Sequence, residues 1–384
     1  MTKFVPWLVW LFLYWTMVRS RPWTKRQKIG VSAGLAGLIF PYHLLRWISR
    51  LPIGGSLESW PQVVWLAAQF LYCTAAFLCV FAGLDILFQQ VSGWYAVKKG
   101  ITPRYPRQLI RFCIMLPLSA VLSVLGIYLS LRPPMVREYA LALKNYPAGA
   151  GELRIAAVSD LHFDPVYDFR YAARIVSRLN SLKPDVILLL GDYSNTPDAL
   201  TPEVLAELKK LSAPEGVYAV TGNHEYYREG KNNFSRLSSI GICFLCNEST
   251  KLKKWNVYLA GVNDLSLLKR TAGDSSRGQR IPMVSKAVKN IPRGETVILL
   301  SHQPNLFPDA VENSVDLQLS GHIHGGLFPV VHWLMELLKG PVHGYYRERG
   351  SELIVTSGTG IWCGFPCRLG IMPEVLLVKV SGKE

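Results

Sequence analysis

Four long apolar stretches fill the first third of the chain: Phe4–Val18, Ile29–Ile48, Val63–Phe88 and Leu109–Leu131. A helix rises 1.5 Å per residue, so about 20 apolar residues cross the ~30 Å hydrocarbon core of a bilayer. Each stretch therefore reads as a transmembrane helix. The first is short and resembles a signal peptide in length. It lacks a small-residue cleavage site, however, and its basic residues Arg19, Arg21, Lys25, Arg26 and Lys28 follow the apolar run instead of preceding it. Trp7, Trp10 and Trp15, with Trp60, Trp65 and Trp94, suit the membrane interface. The pattern predicts a membrane region over residues 1–135, a Pro- and Gly-bearing linker over 136–151, and a globular domain over 152–384.

From Leu153 onward the apolar runs shorten to strand length. Leu153–Val158, Asp185–Leu190, Val217–Val220, Val257–Ala260 and Thr296–Leu300 are predicted strands. Between them Tyr171–Leu182 and Thr201–Leu211 have helical spacing, the second opening on an N-cap threonine followed by proline. Alternating strand and helix predicts an α/β architecture with largely buried strands. The later runs Leu317–Leu319, Glu352–Thr356 and Val375–Val380 lie closer together and suggest a second sheet.

Net charge is +15, but it is unevenly spread. Residues 1–150 carry 16 Lys+Arg against 3 Asp+Glu, and residues 151–384 carry 26 against 24. The excess thus belongs to the apolar half, where it reports topology, and no nucleic-acid partner is expected. Basic residues crowd the first loop and the third, the latter holding Lys98, Lys99, Arg104, Arg107 and Arg111. Placing both loops in the cytoplasm makes a multi-pass cell-membrane protein whose residues beyond Leu131 are extracytoplasmic. Asp85 is a lone acid in the third stretch, and Cys73, Cys79 and Cys113 read as small packing residues.

Polar motifs close the apolar runs of the second half. They are Ser159-Asp160-Leu161-His162, Gly191-Asp192, Gly222-Asn223-His224-Glu225, Ser301-His302 and Gly321-His322-Ile323-His324, followed by Ser357-Gly358-Thr359-Gly360. Asp160, Asp192 and Asn223 recur at intervals of 32 and 31 residues, about one β-α repeat. Ligands of α/β sheets collect beyond the strand carboxyl ends, so these side chains are expected to converge. Asp160, His162, Asp192, Asn223, His302, His322 and His324 mix oxygen and nitrogen donors, which suits Mn, Fe, Zn or Ni better than Ca or Mg. A bridging carboxylate in such a set holds two divalent ions about 4 Å apart, an arrangement suited to in-line displacement at phosphorus.

The order of these motifs resembles the calcineurin-like metallophosphoesterases, whose pattern runs D-x-H, GD, GNH[ED], H and GHxH. The resemblance covers about residues 152–380. It implies an α/β (α+β) four-layer sandwich, two mixed β-sheets flanked by helices, here preceded by an α-helical transmembrane region. It also implies that Asp160, His162, Asp192 and His324 hold one metal ion. Asp192 would bridge to a second held by Asn223, His302 and His322. His224 matches the histidine that contacts the scissile phosphate and protonates the leaving oxygen. The nucleophile implied is a metal-bridging hydroxide, with no phosphoenzyme. Arg368-Leu369-Gly370 and Pro373-Glu374 further resemble the bacterial membrane-associated branch, some members of which act on lipid-linked nucleotides. Asn195 stands near a position where many members carry another Asp or Asn.

The expected function is therefore a membrane-anchored binuclear phosphohydrolase acting on a phosphorylated small-molecule or lipid-linked substrate. Two alternatives stand beside it. One is a UDP-2,3-diacylglucosamine-type pyrophosphatase with a cytoplasmic site, and the other is a catalytically silent metal-binding scaffold or sensor. The segment Leu327–Leu338 is apolar but too short to span, and reads either as a core-facing helix or as an interfacial one. Cys243, Cys246, Cys363 and Cys367 are compatible with disulfides or with buried thiols.

Overall fold

The computed structural model describes residues 5–19, 24–48, 61–102, 108–195, 198–227, 232–267, 282–361 and 366–382. Phe4, Arg21, Trp60, Arg104, Arg107 and Cys363 lie outside the described residues. The chain divides into two compact units, Met1–Leu129 with Gly364–Cys367, and Ser130–Cys363 with Arg368–Glu384.

The first unit is helical: α1 (Val5–Tyr14) running into a π turn (Trp15–Arg19), α2 (Lys25–Ile48), α3 (Gln62–Lys99) and α4 (Gln108–Leu131). Among the described residues, three helices are long and apolar enough to cross a membrane, Lys25–Ile48, Gln62–Lys99 and Ile110–Leu131. They support a multi-pass membrane protein. The first of the four expected spans is not among these three: among the described residues its stretch gives an α-helix of ten residues followed by a π turn of five. With the five residues of the π turn the helical run reaches about 20 Å, still less than the ~30 Å hydrocarbon thickness. Leu13 and Val18 from this stretch are instead buried with Leu35 and Ile39 of α2 and Ala75 and Leu78 of α3. Asp85 has partners: it accepts a hydrogen bond from Gln89 at 2.7 Å and lies 3.5 Å from Arg111.

Twelve strands among the described residues build the second unit as two six-stranded mixed sheets. They are β1 (Met135–Leu143), β2 (Leu153–Val158), β3 (Val186–Leu189), β4 (Val217–Ala219), β5 (Cys243–Phe244), β6 (Glu248–Leu252), β7 (Val257–Gly261), β8 (Thr296–Leu300), β9 (Leu317–Ser320), β10 (Gly344–Glu348), β11 (Ser351–Val355) and β12 (Glu374–Gly382). The first sheet runs β1-β12-β2-β3-β4-β5 and the second β10-β11-β9-β8-β7-β6. Alternate residues of each strand face the space between the sheets. Leu153, Ile155 and Ala157 of β2 share one buried cluster there with Val257 and Leu259 of β7 and with Ile298 and Leu300 of β8.

On the outer face of the second sheet, Ala260, Val297, Leu299 and Val355 pack with Val284, Ala287, Phe307 and Ala310. Those last four come from α8 (Val284–Val288) and α9 (Phe307–Glu312), which follow α5 (Phe169–Ser181), α6 (Pro202–Leu208) and α7 (Asn233–Ser238) in the chain. The last helix is α10 (Pro329–Lys339).

Two placements depart from the sequence expectation. The segment from residue 136 that reads as a linker contains β1, which pairs in parallel with β12 over its whole length. It is an edge strand of mixed burial carrying Arg137 and Glu138, so it lacks the clean alternation that marks a strand. β12 itself, which the spacing groups with the second sheet, lies in the first, antiparallel to β2.

Candidate binuclear metal centre

β2, β3 and β4 are adjacent and parallel, and each ends in one of the motifs. Asp160 and His162 follow β2, Asp192 follows β3, and Asn223 and His224 follow β4. In the second sheet His302 follows β8, and His322 and His324 follow β9. The structure thus brings all eight candidate residues to the carboxyl ends of five strands.

The side chains converge closely. His162 Nε2 lies 3.2 Å from His324 Nε2, and His322 Nδ1 lies 3.2 Å from His302 Nε2. Asp160 Oδ1 is 3.5 Å from His324 Nε2 and 3.7 Å from His162 Nε2. Asp192 Oδ2 sits between the two imidazole pairs, 3.3 Å from His302 Nε2 and 3.7 Å from His162 Nε2. Potential donor atoms form three groups, Asp160–His162–His324, His162–Asp192–His224 and Asp192–His302–His322, each within 4.8 Å of one another. These clusters are close enough to hold two divalent cations jointly.

Two further observations fit bound cations. Asp160 Oδ1 and Asn223 Oδ1 are buried without a hydrogen-bond partner among the described residues. A buried oxygen left so is costly, and a cation would satisfy it. Backbone strain is concentrated here as well: Asp160, His162, Asp192, His322 and His324 all have φ between 47° and 73°. A left-handed conformation costs a non-glycine residue about 1–3 kcal/mol, and it persists where the surroundings over-determine it, commonly at functional sites.

Hydrogen bonds fix the ring orientations. His302 Nδ1 lies 2.7 Å from the Leu190 carbonyl, which only accepts, so Nδ1 carries the proton and Nε2 keeps its lone pair. His224 Nδ1 donates likewise to the Ser194 carbonyl at 3.0 Å. The His224 backbone N–H donates to Asp192 Oδ1 at 2.8 Å, and that of His322 to Asp160 Oδ2 at 3.0 Å. Each carboxylate is thereby held by the loop of another strand. Burial works to raise Asp160, but the imidazoles of His324 and His162 outweigh it and hold the carboxyl below its ordinary range.

Several supporting residues have roles that the sequence does not disclose. Glu225 accepts from the backbone N–H groups of Asp192, Gly222 and Tyr193 at 2.8–3.0 Å, tying the β3 and β4 loops together. Burial first, then the Asp192 carboxylate, raises Glu225 above the usual range. Ser357-Gly358-Thr359-Gly360 acts as a brace: Thr359 N and Gly360 N donate to the Ser159 and Asp160 carbonyls. The fully buried Arg368 donates from Nη2 to the carbonyls of Ser357 at 2.8 Å and Gly360 at 2.7 Å, bracing the same loop. Asn195 braces too, reaching the His162 and Ile361 carbonyls through Nδ2 at 3.3 and 3.2 Å. Glu225 carries a signal as the fourth residue of its motif, and Arg368 as part of a family marker, but neither position alone says what the side chain holds. Cys243, Cys246 and Cys367 are free thiols.

Fold and site together define a metal-dependent phosphohydrolase. Residues 153–326 match the family model described as calcineurin-like phosphoesterase. The chain is 30% identical over 315 residues to a Danio rerio "Transmembrane protein with metallophosphoesterase domain", covering 78% of this chain and 68% of that one. A Bos taurus protein of the same description is 28% identical over 313 residues, covering 78% and 69%. An Aquifex aeolicus (strain VF5) "Uncharacterized metallophosphoesterase" is 31% identical over 266 residues, covering 68% of this chain and 97% of its own. The chain belongs to the calcineurin-like metallophosphoesterases.

Proposed function

We propose that the protein cleaves a phosphodiester or phosphoanhydride of a lipid-linked substrate on the extracytoplasmic side of the membrane. The observation that carries the reading is the position of Asp192 Oδ2 between His302 and His162, which suits a carboxylate shared by two ions. In this reading Asp160, His162, Asp192 and His324 hold one cation, and Asp192, Asn223, His302 and His322 hold the other. The mixed donor set favours Mn, Fe, Zn or Ni. When bound, two such cations activate water at neutral pH and draw charge from the phosphoryl oxygens.

His224 also falls within ligand distance of His162 and Asp192. Its Nδ1 is turned to the Ser194 carbonyl, so Nε2 is the ring nitrogen left to serve the substrate, and we assign it to proton transfer to the leaving oxygen. Orientation follows from Lys25, Arg26 and Lys28 at the start of α2 and Lys98 and Lys99 at the end of α3. With those in the cytoplasm, three crossings leave the catalytic domain outside.

The test uses the full chain in lipid nanodiscs, charged with Mn²⁺, and two diesters, one with a p-nitrophenyl leaving group and one with an alkyl leaving group. His224→Ala should lower kcat on the alkyl ester by about 10²–10⁴-fold and act far less on the p-nitrophenyl ester, whose leaving group needs no proton. Equal losses on both would remove the proton-transfer role, and an inactive native chain would remove the enzymatic reading. Protection of a C-terminal tag from external protease in intact cells would reverse the orientation.

A further inference from the structure

Helix α10 is amphipathic in the inverted sense. Its apolar side chains Val330, Val331, Trp333, Leu334, Leu337 and Leu338 are all between 40% and 76% exposed. At 100° per residue these six occupy one arc of about 160°. The opposite face carries His332 and Glu336, which hold the helix to its own domain. His332 Nδ1 donates to the Gly325 carbonyl at 3.1 Å, and the Tyr346 hydroxyl donates to Glu336 at 2.8 Å. A helix on the surface of a globular domain normally buries its apolar stripe and exposes its polar one. A contiguous apolar face of this kind marks a contact surface.

We propose that α10 is an in-plane membrane-surface helix, seating its Val330–Leu338 face in the headgroup–acyl boundary of the bilayer. At eleven residues the helix is too short to cross. Tryptophan among leucines and valines suits the boundary, and the exposed Arg347 and Arg349 that follow supply charge for anionic headgroups. The bilayer is also a partner already within reach. α4 ends at Leu131 and β1 starts at Met135, so three residues separate a membrane-length helix from the sheet.

The placement bears on catalysis through a short path. His324 lies five positions before α10, and His332 grips the carbonyl of the next residue, Gly325. Resting on the lipid-linked reading above, the helix brings the candidate centre to the plane in which such a substrate is embedded.

The test places a benzophenone amino acid at Leu337, or at Glu336 on the opposite face, or at Val121 of α4 as a lipid-facing reference. The full chain is irradiated in nanodiscs of phosphatidylethanolamine and phosphatidylglycerol, and adducts are read by mass spectrometry. Lipid adducts at position 337 comparable to those at 121, and scarce at 336, are the expected result. Adducts to protein at 337, whether a second copy or another part of the chain, would overturn the proposal, as would no adduct there while 121 reacts. In parallel, Trp333→Ser with Leu337→Ser should raise KM for a bilayer-embedded diester about tenfold or more while sparing a soluble one. Equal losses on both would overturn the link to catalysis. Crosslinking does not require turnover, so a lipid adduct on a chain inactive towards every phosphoester would count against the enzymatic reading alone.

Discussion

The two sheets contribute different chemistry to one candidate centre. Strands β2, β3 and β4 of the first sheet deliver every oxygen donor, Asp160, Asp192 and Asn223, along with His162 and His224. Strands β8 and β9 of the second deliver only imidazoles, His302, His322 and His324. The second sheet alone offers no oxygen donor, and the first alone lacks three of the imidazoles in the candidate set, so neither completes the surroundings of two borderline cations. The centre therefore depends on how the sheets are registered across their shared core, and on the loops that cross the seam. Asp160 accepts from the His322 N–H across it, and His302 donates to the Leu190 carbonyl across it.

The most severe way to break this arrangement is to disturb a turn in the first sheet. A Cβ added at Gly222 would overlap the Asp192 carboxylate, and the nearby Asp192 backbone nitrogen would lie 2.5 Å away. Gly222→Ala should therefore displace the carboxylate that both halves share. A displacement of about 1 Å at a reacting centre costs on the order of 10²-fold in rate, and that is the expected loss of kcat. Metal content by plasma emission spectroscopy should fall with it, while far-UV circular dichroism stays unchanged. Retained metal and activity would show that the turn yields and that Asp192 is not pinned from this side.

Much of this was legible in the sequence because the motifs close apolar runs. Asp160, Asp192 and Asn223 can be placed at strand ends from periodicity, and their spacing matches adjacent parallel strands. Of the strands that periodicity misses, β5 has two residues and β6 reads Glu-Ser-Thr-Lys-Leu, while the nine-residue β1 is hidden by the charged pair Arg137-Glu138. The structural roles of Arg368 and Glu374 were beyond reach for another reason. A buried charge is recognised by its partners: those of Arg368 are backbone carbonyls 8 and 11 residues back, which carry no side-chain signal, and those of Glu374 range from Ser357 to Arg137 at the far edge of the sheet. The face of α10 was equally hidden, since an apolar composition does not say whether the stripe points in or out.

A smaller effect is expected from the second sheet's brace. Arg368 is fully buried and holds the Ser357–Gly360 loop that in turn holds the Asp160 backbone. Its Nη2 gives both hydrogens to the Ser357 and Gly360 carbonyls, so its 3.4 Å approach to His324 Nδ1 is a packing contact. Loss of residues that orient metal ligands commonly weakens metal binding about 10–100-fold, and about tenfold is expected for Arg368→Met. Titration with a competing chelator measures it. Arg368→Lys should recover part of the loss, because both bonds come from one nitrogen and an ammonium carries enough hydrogens to make them. Unchanged metal affinity in both variants would reduce Arg368 to a packing role.

The mildest change in neutral solution concerns the joint between the sheets. Glu374, at the start of β12 in the first sheet, accepts from Thr356 Oγ1 at 3.1 Å and Ser357 N at 3.0 Å at the end of β11 in the second. It also accepts from His343 Nε2 at 3.0 Å and Arg137 Nε at 2.7 Å. Burial works to raise its carboxyl, but His343 and Arg137 outweigh it and bring it from 4.5 to about 2. A depressed folded value contributes stability that is present above the unfolded value of 4.5 and is lost as pH falls towards about 2. Allowing for the half-exposed Arg137, the contribution is about 2 kcal/mol. Glu374→Gln should leave turnover at neutral pH nearly unchanged while lowering thermal stability there. The difference from the native chain should shrink as pH falls from about 4.5 to about 2, because the native carboxyl is then protonated as well. A stability difference that stays constant across that window would mean that Glu374 joins the sheets by shape and not by charge.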